Sequence, residues 1–378
     1  MKTLRLLGLL LCLWLAGCSK SEVGPGAVDT DEGITAHYTI LLSDGTNFVP
    51  TQLTANALTI EGTASGTMPQ EPFALPDITY RHNSALCFYR ALGDCSGEVR
   101  SLNLESGNAH VRKIFGDSPS CAREVLALAG SDNTAFIGYN MPGGGIKETV
   151  FMVRAVSLAD LQAGFTETEL EFAPRQMLWS NNRLYVLAYD NAGDTYRLYV
   201  LDGELAPQQQ ELDLGSGVAQ IFLTHSGQLL VSYEQRHLLL DPVTLEVLSR
   251  VVYAEGKTPN IAWSPASYFD PSDRLYYSMP TAQSETEYAH IPAIYDLGEH
   301  IAYLYYFENF LNEAQRNTYY AIADTRAVAY DHHNGLLLIG YQKTGGSKGG
   351  LIRVKPVPDP KLIDQIALDG VPMQIHVE

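Results

Sequence analysis

The stretch SNNRLYVLAYD (180–190) sets a polar turn against an apolar run that closes on a small residue, a tyrosine and an acid. The run is rich in strand-forming residues and too short for an amphipathic helix. The same unit recurs as RHNSALCFYR (81–90), SDNTAFIGYN (131–140), THSGQLLVSYE (224–234), DPSDRLYYSM (270–279) and DHHNGLLLIGYQ (331–342). Its strands open near Ala85, Thr134, Arg183, Gln228, Arg274 and Gly335, so the steps are 49, 49, 45, 46 and 61 residues. Self-similarity at such a period marks a repeat architecture.

Each unit carries the same further parts. A strand precedes the turn, as in RQMLW (175–179), VAQIFL (218–223) and RAVAY (326–330). Another follows the anchor strand, as in EVRSLNL (98–104), YRLYVLD (196–202) and GLIRVK (350–355), and a fourth closes the unit, as in EVLSRVV (246–252) and KLIDQIAL (361–368). Four antiparallel strands in about 45 to 50 residues make one propeller blade. Six units account for residues 77–368. The N-terminal part offers three strands, HYTILLSD (37–44), NALTIEG (56–62) and PFAL (72–75), and the C-terminus offers one, VPMQIHV (371–377). Joined, they make a seventh blade and leave no open sheet edge around the ring. The expected fold is all-β, a seven-bladed propeller over 35–378 closed by the C-terminal strand in the N-terminal blade. A pair of β-sandwiches is the rival, and it needs no regular period.

Composition narrows the function. The 378 residues carry 43 Asp+Glu against 25 Lys+Arg, a net charge of −18. Nucleic acid and bare anionic membrane are poor partners for that charge, because phosphate binding needs a basic footprint. With 46% hydrophobic residues and 22 tyrosines, the chain has ample material for a core.

Residues 1–18 have a basic start at Lys2 and Arg5, an apolar run over Leu6–Leu15, and then Ala16-Gly17-Cys18. They resemble a bacterial lipoprotein signal (1–17), in which the bond before the cysteine is cut and Cys18 carries the lipid. Loss of Lys2 and Arg5 takes the net charge from −18 to −20. Ser19 follows the cysteine where an aspartate would suggest inner-membrane retention, so the resemblance implies an outer-membrane anchor, periplasmic or cell-surface. Residues 18–34 read as the lipidated cysteine and a polar tether. The turn DPVTLEVLSR (241–250) is similar to the D-x-x-T-G-x-V turn of YncE-like and quinoprotein-like propellers, with Leu245 in place of glycine. With the lipobox, the chain resembles YncE-like propeller lipoproteins of Gram-negative bacteria. That resemblance implies capture of a small ligand or docking on an outer-membrane transporter.

Candidate ligand residues follow from propeller geometry, in which the loops between strands two and three share a face with the loops between blades. Four anchor strands end in a small residue and a tyrosine, which puts Tyr139, Tyr189, Tyr233 and Tyr341 near that face; packing between blades and ligand contact are both open to them. Arg123, Arg175 and Arg326 fall at or just before first strands, where they either ring the channel mouth and attract an anionic ligand or form salt bridges between blades. The long step contains ENFLNEAQRNTYYAIAD (308–324), where Asn312 suits a helical cap and Phe310, Tyr319 and Tyr320 supply aromatic surface for a lid or partner contact.

Of the remaining cysteines, Cys87 lies in an apolar strand, while Cys95 and Cys121 fall on one face and suit a disulfide outside the cytoplasm. No metal ligand set and no cofactor motif is expected: His332-His333 sits in a turn on the opposite face, and no phosphate loop or G-x-S-x-G element occurs. The expected function is therefore non-enzymatic binding. An envelope interaction scaffold is the alternative, and a glycan or polyanion hydrolase or lyase a third class.

Overall fold

The computed structural model describes residues 34–62, 71–117, 120–143, 148–208, 211–255, 257–261, 266–282, 285–356 and 358–378. The lipoprotein signal, Cys18 and the tether up to residue 33 lie outside them. Six antiparallel four-stranded sheets follow one another along the chain as blades 1 to 6, spanning 78–114, 124–170, 173–215, 218–252, 268–304 and 322–368. In each the strands lie in chain order, and successive first strands pack around a central channel.

The seventh sheet takes Val371–Val377 as its innermost strand beside Ala36–Ser43, then Asn47–Ala55 and Ile60–Gly62. The C-terminal strand closes the ring. One expectation changes in this blade: 56–62 is not a single strand, and NFVPTQLTA is the third strand. Pro50 reads as a breaker, yet it pairs in register with Leu41. On the other side, Ile60–Gly62 pairs only with residues 53–55, and Phe73–Ala74 only with 47–48. The imino nitrogen thus falls in the gap between two short outer segments, where no ladder bond is asked of it.

The recurring polar turn has a backbone cause. Asn83, Asn182, Gly227, Asp273 and Gly335 each adopt positive φ within two residues of the second strand, and Asn, Asp and Gly are the residues that tolerate this region. Turns between third and fourth strands repeat a second device. Asn103, Asp241 and Asp296 each accept backbone N–H bonds from the residues two and three positions on. The left-handed residue comes four positions on, at Gly107, Leu245 and His300. Leu245 takes φ of 59° without being glycine, and its side chain is buried in the core, which offsets the backbone cost.

Blades 6 and 7 are locked by a polar cluster at their shared core. Arg353, fully buried, forms a two-pronged ion pair with Asp364, at 2.6 and 2.9 Å. Its remaining nitrogen donates to the Asn56 carbonyl and lies 3.5 Å from the Tyr38 hydroxyl, which donates to Asp331 at 2.6 Å. Tyr38, Ile40, Ile375, Leu338 and Leu351 bury the apolar half of the same seam. The pair Gly349-Gly350 opens the third strand of blade 6. A Cβ at Gly349 would lie 2.5 Å from Pro372 of the closing strand, and one at Gly350 2.4 Å from the Tyr341 hydroxyl.

Removing one partner of a buried ion pair leaves the other uncompensated. Arg353→Leu is therefore expected to cost about 3 kcal/mol of unfolding free energy. Urea titration of the purified chain checks this, and an unchanged midpoint would deny the cluster its role.

Candidate functional site

The loops between second and third strands and those between blades share one face, here the upper face. Its mouth contains a cavity of about 500 Å³ over blades 1 to 4. The inner strands shape it by bulging. One extra residue is inserted near the start of the strand at Leu126 in blade 2, Arg175 in blade 3, position 219 in blade 4, Arg326 in blade 6 and Met373 in blade 7. In blades 2, 4 and 6 the insertion falls opposite the step from small residue to tyrosine, at Gly138-Tyr139, Ser232-Tyr233 and Gly340-Tyr341. A bulge re-aims the side chain it carries. Leu126 and Arg175 both line the cavity by this means.

Arg175 is exposed, and its guanidinium lies 5.5 Å from the centre of the Tyr189 ring. Tyr189 packs on Tyr196 at 4.8 Å, and its hydroxyl donates to Asp194 at 2.7 Å, a bond that raises the phenol's pKa. Ile78, Leu126, Leu128 and Met177 supply apolar wall. Gln176 is spoken for: its amide exchanges hydrogen bonds with the Ile221 backbone at 2.7 and 2.9 Å, tying blade 3 to blade 4. The Gln220 side-chain oxygen is buried in the wall without a hydrogen-bond partner. One cation, two packed phenols tilted at 45°, an open amide acceptor and an aliphatic wall suit a small anion with an apolar body.

The structure disperses the other candidates. Arg123 lies over Phe115 at 4.0 Å and near Tyr139 at 5.5 Å, within the seam of blades 1 and 2. Buried Arg154 covers the same Phe115 ring and pairs with Asp117 and Glu167. Arg326 occupies a bulge like Arg175, but it is held by Gln342 and stands 3.7 Å from Asp324. Neither Arg123 nor Arg326 lines the cavity. Tyr139, Tyr233 and Tyr341 are buried, bonded respectively to Glu167, the Leu214 carbonyl and the Gln365 amide. Of the four tyrosines, only Tyr189 reaches the cavity.

In the long insertion, Asn312 and Gln315 exchange side chain-to-backbone bonds, each 2.9 Å, a reciprocal cap for the one-turn helix that follows. Phe307 and Leu311 anchor the segment, Phe310 and Tyr320 are half-buried, and Tyr319 is 72% exposed. Sequence reasoning missed Tyr196, Leu126 and Gln220. For Leu126 and Gln220 the signal was an inner strand one residue longer than its neighbour, which no single-strand pattern displays, and Tyr196 comes from the facing third strand, opposite Tyr189.

Cys95, in the hairpin between the second and third strands of blade 1, is bonded to Cys121 in the loop to blade 2, with their Cα atoms 4.7 Å apart. Cys87 is buried and free, and burial pushes its thiol up to about 12. The disulfide closes a loop with a sequence separation of 26. The chain-entropy model gives such a loop about 3.5 kcal/mol. Reduction, or Cys95→Ser, is expected to lower the denaturation midpoint accordingly; equal midpoints with and without reductant would contradict it.

No family model matches the chain, and no curated protein matches it. Among solved structures, a candidate 6-phosphogluconolactonase from Bacteroides fragilis is 10% identical with a TM-score of 0.51, over 92% of this chain and 99% of its own. A second one, from Bacteroides uniformis, is 12% identical at 0.50, over 91% and 99%. BamB from Moraxella catarrhalis is 11% identical at 0.40, over 76% and 72%. At these identities the likeness is one of fold, and the chain is a seven-bladed β-propeller.

Proposed function

We propose that the chain is a lipid-anchored propeller of the Gram-negative outer membrane that captures a small anionic ligand at its upper mouth without transforming it. The observation that carries this reading is the Arg175 bulge, which sets a guanidinium beside the Tyr189–Tyr196 pair at the rim of the 500 Å³ cavity. In a chain of charge −18 a lone local cation selects an anion that the global field would otherwise repel. Among the described residues the cavity lining contains no carboxylate, histidine or serine. That supports binding over the hydrolase and lyase readings, which need converging acid–base groups. The scaffold reading rests on Tyr319, which the docked insertion holds exposed between blades 5 and 6; ligand capture and docking on a transporter are compatible on one face.

Two experiments test the proposal. In native mass spectrometry of protein extracted from its own envelope, an anionic small molecule is expected to accompany the wild type. It should fall at least tenfold in Arg175→Ala and persist in Arg326→Ala; equal occupancy in all three would sink the ligand reading. Separately, Cys18→Ser is expected to shift the protein from the membrane pellet to the soluble fraction. Retention in the pellet would overturn the anchor and leave the ligand site untouched.

A further inference from the structure

The opposite, lower mouth is lined by the turns between first and second strands and holds its own cavity of about 300 Å³. Arg81 of blade 1 reaches across the channel there and lies over the Tyr268 ring of blade 5, 5.2 Å from its centre. Its Nε donates to the Asn83 carbonyl and its Nη1 to the Gln374 side-chain oxygen, both at 3.1 Å. Both acceptors are neutral. Among the described residues no carboxylate acts on this guanidinium, and burial alone pulls it down to about 10.

The fold treats its fully buried arginines differently. Arg154 has Asp117 and Glu167, and Arg353 has Asp364. At the lower mouth the acid in the wall is Asp270, whose oxygens are already taken by the backbone N–H groups of Ser272 and Arg274 and by the Tyr276 hydroxyl. Glu105, the other acid of the wall, is exposed. A half-buried guanidinium left without counter-charge is costly, and a neutral side chain of similar shape would serve packing better. The missing charge points to something outside the chain.

The surroundings suit an oxyanion. His376 and His332 line the same space, both with protonation disfavoured by burial, so each presents a neutral imidazole that can donate one N–H. His225 enters from blade 4. Tyr268, Tyr276 and Tyr330 stack in series at 5.2 and 5.5 Å and form a flat wall, with His332 edge-on to Tyr330 at 4.8 Å. Among the described residues no His, Cys, Asp and Glu group has the arrangement to hold a metal ion. We propose that the lower cavity is a second, separate binding site for a small oxyanion, a carboxylate or phosphoryl group that pairs with Arg81 and accepts N–H bonds from His376 and His332.

The test is calorimetric titration of the whole chain with two probes, inorganic phosphate and citrate. A saturable component for at least one probe is expected to survive Arg175→Ala, the change that removes the upper site, and in that background to be weakened at least tenfold by Arg81→Met and less by Arg81→Lys. The Arg175 variant separates this site from the upper one. If Arg81→Met fails to fold by circular dichroism, the double variant His376→Gln/His332→Gln takes its place, with a loss of at least threefold expected. Absence of saturable binding by either probe, wild-type affinity in the folded Arg81 or histidine variants, or loss of binding in Arg175→Ala would each overturn the proposal.

Discussion

Every blade depends on the ring being shut, and the ring is shut by one pairing: Val371–Val377 against Ala36–Ser43. A propeller without this pairing would expose the inner edge of Ala36–Ser43 and the apolar flank of blade 6 to water. The pairing joins residues more than three hundred positions apart, so it forms only after a large loop-closure cost has been met. Apolar burial at the seam supplies much of the compensation, but burial is non-directional and does not choose a register. The bonds from Tyr38 to Asp331 and from Arg353 to the Asn56 carbonyl do, because they form only when blade 7 is docked in one position on blade 6. A slip of one residue would turn Tyr38 to the other face of its sheet and leave the buried Asp331 without that hydroxyl.

The same logic explains what was readable beforehand. The blade period was legible because the turns need left-handed residues at a fixed place, and Asn83, Asn182, Gly227, Asp273 and Gly335 supply them where a pattern search can see them. The turn between third and fourth strands was legible at Asp241 alone. Its left-handed position is filled by glycine once and by Leu245 and His300 elsewhere, so identity varies while backbone geometry is kept. The strand over Asn47–Ala55 escaped because NFVPTQLTA has neither the polar turn nor the apolar run of the repeat, and its pairing with Ala36–Ser43, Pro50 opposite Leu41 included, is visible only in three dimensions.

The candidate site was less legible, for a physical reason. Spacing placed Arg123, Arg175 and Arg326 near one face, and all three are near it. Whether a guanidinium meets solvent or protein depends on what stands beside it, and that is set by neighbouring blades. Phe115 lies under Arg123 and Gln342 beside Arg326, whereas Arg175 has only the Tyr189 ring. The tyrosines divide likewise: Tyr189 donates to Asp194 in its own hairpin and stays at the rim, while Tyr139, Tyr233 and Tyr341 are buried and find partners there.

These placements bear on what the channel itself does. At the lower mouth Arg81 lies over Tyr268, and one residue earlier in the same strand the Tyr80 hydroxyl accepts from the Trp179 backbone N–H at 3.0 Å. Burial holds the Tyr80 phenol well above its ordinary pKa, so it stays neutral. The two cavities share no lining residue, and among the described residues neither Arg175 nor Arg81 has a carboxylate partner, so the two mouths are better understood as separate chambers than as the ends of one conduit.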